Sequence, residues 1–211
     1  MFVTSGNNEA TKTTSYKVVL PFYGYAAVAF FVATLLLLLS ANEITGHYFQ
    51  PHNLAIVHMM ALGWGTMMIL GASHQLVPVL IEGKLYSNKL AYISFILAAL
   101  GIPLLAYGFY VFDMGLHTQC GCILICLAIM AYLVNLAMSM VKTKHENVHA
   151  FFVFTAAIWL LTTAIVGLLL VYNFNYPVFS KSSLAFLPLH AHIGIVGWFL
   201  LLITGIGSRL I

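Results

Sequence analysis

The sequence predicts an all-α polytopic membrane protein, a bundle of about six transmembrane helices with a four-helix internal repeat. Three observations carry this. Of the 211 residues, 62% are hydrophobic and 6% charged, with a mean hydropathy of +1.01. A soluble domain carries roughly a quarter of its residues as charges, so this chain has too little polar surface for water, and lipid is its solvent. Six stretches reach the ~20 apolar residues that cross the hydrocarbon as a helix. The cationic residues, finally, alternate between the connections in the way a membrane topology requires.

In chain order, residues 1–17 are polar and lack the short apolar region and cleavage site of a signal peptide. They are expected to form a flexible cytoplasmic tail, with residues 18–211 as the membrane domain. The first span is expected at about Val18–Ser40. The second, about Asn53–Ile81, stops at the turn-forming Glu82-Gly83-Lys84. The third covers about Leu90–Phe112 and the fourth about Gln119–Val141. The fifth, about Ala150–Phe174, runs into Asn175-Tyr176-Pro177, and the sixth is about Ser183–Ile211. No soluble domain fits between them.

Lys and Arg in short loops stay cytoplasmic. Lys12, Lys17, Lys84, Lys89, Lys142, Lys144 and Arg209 all fall on one face of a six-span topology, and Lys181 alone falls on the other. Both termini are therefore expected to be cytoplasmic, in a plasma membrane (the inner membrane if the source is bacterial). The net charge of +3 sits in short links, which gives nucleic-acid binding no support.

Spans two and six repeat one another. His58, Gly63, Trp64 and Gly71 correspond to His192, Gly197, Trp198 and Gly205, at the same spacing in all four pairs. Spans one and five add a weaker match, Ala29-Phe-Phe-Val-Ala-Thr34 against Ala150-Phe-Phe-Val-Phe-Thr155. The unit is four helices, its second copy cut at two. At ~100° per residue the glycines lie well around the helix from the histidines, free to let neighbouring helices approach.

A histidine in the hydrocarbon is costly and marks function. His58, His74, His190 and His192 fall inside spans. A neutral imidazole hydrogen-bonded to a neighbouring helix is the plain alternative for each. His58 and His192, at matched depth on repeat-related helices, suit six-coordinate haem iron, which takes two neutral imidazoles. Phe, Tyr and Trp make up 14% of the chain, and such an interior suits haem. His190 and His192 diverge by ~160° on a regular helix, so they serve different partners. His74 lies ~24 Å beyond His58, and a hydrogen-bonding role beside Gln75 is expected for it.

The span-two histidine, the Leu76-Val77-Pro78 that closes that span, the His-x-His of span six and the four-helix repeat resemble the subunit I superfamily of haem–copper oxidases. The resemblance covers most of the chain in topology and spans two and six in motifs. It implies His58 and His192 as axial ligands of a low-spin haem (a b-type is the guess) and His190 as the ligand of a second haem. It also implies other respiratory membrane subunits or a cytochrome electron donor as partners. The family's copper-site tyrosine, four residues after a histidine, is replaced here by Val196, so copper is not supported by this chain alone. Oxygen reduction by this polypeptide alone is not expected.

Other signals point elsewhere. His145-Glu146-Asn147-Val148-His149 matches H-E-x-x-H, in which two histidines one turn apart bind zinc. Its place in the basic cytoplasmic loop favours a solvated helix cap over a membrane protease. Cys120, Cys122 and Cys126 read as small packing residues, and Met59, Met60, Met67 and Met68 as flexible filler. His47 and His52 belong to an interfacial belt with Tyr48 and Phe49, and Asn135 is expected to bond between helices. The expected function is thus haem binding in electron transfer or respiratory gas handling. The alternatives are a cofactor-free membrane subunit or small transporter and, after it, the zinc protease.

Overall fold

The computed structural model describes residues 14–143 and 148–208. Every regular element among them is helical, and six helices are long and apolar enough to cross a membrane: α1 (Tyr16–Leu39), α2 (Pro51–Leu80), α3 (Asn88–Tyr110), α4 (Leu116–Val141), α5 (Val148–Tyr172) and α6 (Ser183–Gly207). This is the multi-pass bundle that composition demands, in contact with the lipid bilayer over its apolar surface.

The boundaries have local causes. Ser15 caps α1, its hydroxyl accepting from the Lys17 N–H, so Tyr16 and Lys17, assigned above to the tail, are helical. Thr14 is packed as well and donates to the His74 carbonyl at 2.6 Å. Pro51 starts α2 where its missing N–H costs nothing. Ser87 caps α3 by accepting from the Leu90 N–H. Helices α2 and α3 are both followed by a left-handed residue, Glu82 (φ 51°) and Phe112 (φ 55°). The next N–H groups then reach back, Gly83 to Pro78 at 3.0 Å and Asp113 to Gly108 at 2.8 Å, and satisfy carbonyls that lipid could not.

Sequential helices pack as neighbours, α1 on α2, α2 on α3, α3 on α4, α4 on α5 and α5 on α6. The second half of α2 also touches α4 and α5. Glycine sets the closest approach. A Cβ on Gly101 of α3 would lie 2.9 Å from the Gly121 carbonyl oxygen of α4, so backbone meets backbone there. A buried polar layer ties the Lys-rich end. Asn135 accepts from the Ser87 N–H at 2.9 Å and donates to the Ser87 carbonyl at 3.0 Å, so its amide pins the α2–α3 turn to α4.

The repeat is built into the backbone. Helix α2 passes through an eight-residue π-helical segment, Met59–Thr66, and α6 through another, Ile193–Leu200. The two segments stand at the same spacing as the paired histidines, glycines and tryptophans, and each follows directly on its histidine. In α2 the Thr66 hydroxyl donates to the Ala61 carbonyl five residues back at 2.8 Å. Such i, i+5 segments are rare and gather at functional sites.

The match of spans one and five needs correction. Gly63 packs on Ala29 and Gly71 on Phe22, whereas Gly197 packs on Trp159 and Gly205 on Phe152. Phe22 thus corresponds to Phe152 and Ala29 to Trp159, and the Ala29–Ala150 match is out of register. The Ala-Phe-Phe-Val string is common membrane composition; contacts to the fixed glycines set the true register.

Candidate functional site

Helices α2 and α6 do not pack along one another. Between them, with α3, α4 and α5 behind, lies a cavity of about 740 Å³, within the ~300–1,000 Å³ range of small-molecule and cofactor sites. Its wall is apolar and aromatic, with Phe109, Trp64 and Trp198 among the lining side chains. Val57 and Ile195 edge it and are exposed on the bundle surface, so the cavity opens onto the hydrocarbon.

Two imidazoles face each other across it. His58 and His190 each lie seven residues past the first residue of their helix, about 10 Å in at ~1.5 Å per residue. Their ring centroids are 6.5 Å apart and the planes differ by 19°. His58 rests against Phe109, centroids 4.6 Å apart. Its Nδ1 lies 2.7 Å from the Leu54 carbonyl oxygen. A carbonyl only accepts, so Nδ1 carries the proton and Nε2 keeps its lone pair. A backbone bond on one nitrogen is how metal-ligating histidines are oriented. His190 sits over Gly167, whose absent Cβ would lie 3.0 Å from the imidazole Cε1. Its Nδ1 is buried and meets no well-formed hydrogen bond among the described residues, although the Thr163 carbonyl lies close enough to accept from the ring.

The expected partnership of His58 with His192 is not the one this fold makes. His190 and His192 point to opposite sides of α6, and α5 holds the His190 side towards the cavity. His192 stands exposed on the outer face, its Nδ1 donating to the Pro188 carbonyl at 2.7 Å. That bond copies His58 to Leu54 at the spacing of the repeat. Motif equivalence therefore identified two like residues, whereas the cavity selects the neighbour of one of them. Gly167, which makes room for His190, carried no signal in the motif.

The remaining histidines stand apart. His74 donates from Nδ1 to the Leu70 carbonyl at 2.7 Å and lies against Phe22 and edge-on to Tyr132, while Gln75 turns outward. Ser73 and Tyr132 share a hydrogen bond beside it. His52 pairs with Glu43 and stacks on Tyr110, and His47 lies against Tyr48. Cys120, Cys122 and Cys126 are free thiols, Cys122 on the cavity wall. Of the H-E-x-x-H segment, His145, Glu146 and Asn147 lie outside the described residues. His149 lies 3.2 Å from the Gly205 carbonyl oxygen and 3.1 Å from the Ser208 hydroxyl. No protein-family model, curated protein or solved structure matches the chain.

Proposed function

We propose that this protein is an integral membrane haem protein of the haem–copper oxidase subunit I type that transfers electrons, with His58 and His190 as the axial ligands. The facing imidazoles at equal depth are the observation that carries the reading. The ring centroids lie 6.5 Å apart with near-parallel planes, a separation that two imidazoles turned edge-on to one metal, at bonds of ~2.0–2.1 Å, would also have. The donor set fits too: His58 offers a free Nε2, and of the two His190 ring nitrogens the neighbouring Thr163 carbonyl can engage one and leave the other as a donor to a metal. A haem held by His58 and His190 would supply one-electron transfer.

The chain's own residues do three things. Leu54 and Phe109 fix the tautomer and tilt of His58. Gly167 leaves the space in which the His190 ring lies. The apolar wall excludes water, which favours the less charged form of any redox group inside. The distribution of Lys and Arg supports cytoplasmic termini in a plasma membrane, with the histidines in the outer half. Respiratory membrane subunits or a cytochrome would be the electron partners.

The test is a pyridine haemochrome assay on purified protein. Wild type is expected to carry haem, and His58→Ala and His190→Ala each to lose about one haem per chain. A colourless protein, or a haem content untouched by both substitutions, would leave the cavity to a cofactor-free subunit or small transporter.

A further inference from the structure

Three phenylalanines roof the cavity at the end where α2, α4 and α6 begin, each supplied by a different connection. Phe49 and Phe174 line it and stack, centroids 5.9 Å apart and planes 2° from parallel. Phe112 stands edge-on to both, at 6.0 and 6.3 Å. Stacked and edge-on rings at such distances attract one another, so the cluster closes this end. Two of the rings sit in a fixed frame. Phe112 takes a left-handed backbone (φ 55°), a costly choice for a bulky residue. The Asp113 N–H holds it there by donating to the Gly108 carbonyl at 2.8 Å. Beside Phe174, the Asn173 side-chain oxygen accepts from the Val178 and Phe179 N–H groups, each at 2.8 Å. Asn175 ties the same connection to the Met114 carbonyl at 2.8 Å.

The third ring is held differently. Phe49 belongs to the α1–α2 connection, whose polar contacts turn back on itself or onto the start of α2. Its N–H donates to His47 Nδ1 at 3.1 Å, the Gly46 N–H donates to the Glu43 carbonyl at 3.1 Å, and Glu43 pairs with His52. Asn53 donates to the His47 carbonyl at 3.3 Å. Among the described residues, no hydrogen bond joins residues 41–49 to α3, α4, α5 or α6.

We propose that residues 41–49 are a lid, latched by Phe49, that opens the cavity to the water at this end and to small polar solutes. Lifting Phe49 breaks ring contacts alone, whereas lifting Phe112 or Phe174 breaks hydrogen bonds as well. The Glu43–His52 pair closes the connection into a loop, so it moves as a unit. Gating elements are drawn from such weakly tied segments beside a binding cavity. This entrance is separate from the opening onto the hydrocarbon at Val57 and Ile195, and it is independent of what fills the cavity.

A thiol inside the cavity reports on the lid. Cys122 is on the wall, six residues past the first residue of α4 and ~9 Å in. The experiment uses the full chain with Cys120→Ser and Cys126→Ser in lipid nanodiscs. Mass spectrometry follows the labelling of Cys122 by a cationic thiosulfonate, which the hydrocarbon excludes. Each variant is also measured with His58→Ala, so that a bound haem shielding the thiol is told apart from a closed lid. Phe49→Ala is expected to speed labelling about tenfold, the scale of one or two lost ring contacts. Phe179→Ala removes a ring that pairs with Phe186 at the same end, and is expected to change nothing. Uncharged N-ethylmaleimide, which crosses lipid, is expected to label wild type and Phe49→Ala alike. Wild type labelled as fast as Phe49→Ala in the His58→Ala background overturns the proposal, as does equal acceleration by Phe179→Ala. So does N-ethylmaleimide labelling that rises in step with the cationic reagent, the mark of a loosened fold. Failure of the haem reading shows separately, as haem that ignores His58→Ala.

Discussion

In α2 the histidine that precedes the π segment rests against Phe109 and faces the cavity; in α6 its counterpart looks out of the bundle. Both make the same 2.7 Å bond to the carbonyl four residues back, and both open the same eight-residue segment. The difference lies in the neighbours. Helix α2 is held between α1 and α3, whereas α6 packs on α5 along one side. Local geometry is therefore a property of the repeated motif, and what a side chain does with it is a property of the packing around it. The same contrast explains why His190 supplies the second imidazole of the cavity: it occupies the side of α6 that α5 orients inward.

The most direct way to break this comparison is to exchange the two histidines' fates. If the cavity holds haem as proposed, His58→Ala is expected to remove it altogether, while His192→Ala leaves its absorbance unchanged; equal effects on the cavity would abolish the distinction. A smaller effect is expected at Gly167. A valine there intrudes on the His190 ring, and haem retention is expected to fall several-fold, with the axial-ligand bands of the spectrum altered; an unchanged spectrum would mean His190 is not the ligand.

The repeat-related glycines sharpen the contrast in stability. A Cβ at Gly63 would lie 2.8 Å from Ala29 Cβ, on a buried and unyielding face. At Gly197 it would meet the Trp159 ring at 2.9 Å, but Trp159 is 40% exposed and able to swing away. Gly63→Ile is expected to cost about 1–3 kcal/mol and Gly197→Ile less, read as the drop in thermal midpoint in detergent. The smallest change is Asn135→Ala. Interhelical hydrogen bonds in membranes average ~0.6 kcal/mol, so losing both bonds to Ser87 should cost about 1 kcal/mol, without altering haem content.

Several features of the site were legible in the sequence. The constant spacing that pairs His58 with His192 also places the two π segments, because Gly63, Trp64, Gly197 and Trp198 of the motif lie inside them. The divergence of His190 from His192 followed from helix geometry, and with it the conclusion that only one of them could share a centre with His58. Which one was not legible. Rotation of α6 about its axis is set by Gly197 against Trp159 and Gly205 against Phe152, contacts between segments distant in the chain. The false register of spans one and five has the same origin: a string of apolar residues repeats by composition, and only a contact distinguishes one register from another.

The sequence by itself determined the solvent, the six crossings, the alternation of charged ends and the duplication, because each depends on composition or on spacing along a helix. Tertiary structure alone decided that His58 faces His190, that Gly167 makes room for it, and that His192 is turned outward. Those facts depend on which faces of α2, α5 and α6 meet, and in a membrane, where every face is apolar, hydropathy carries no record of that choice.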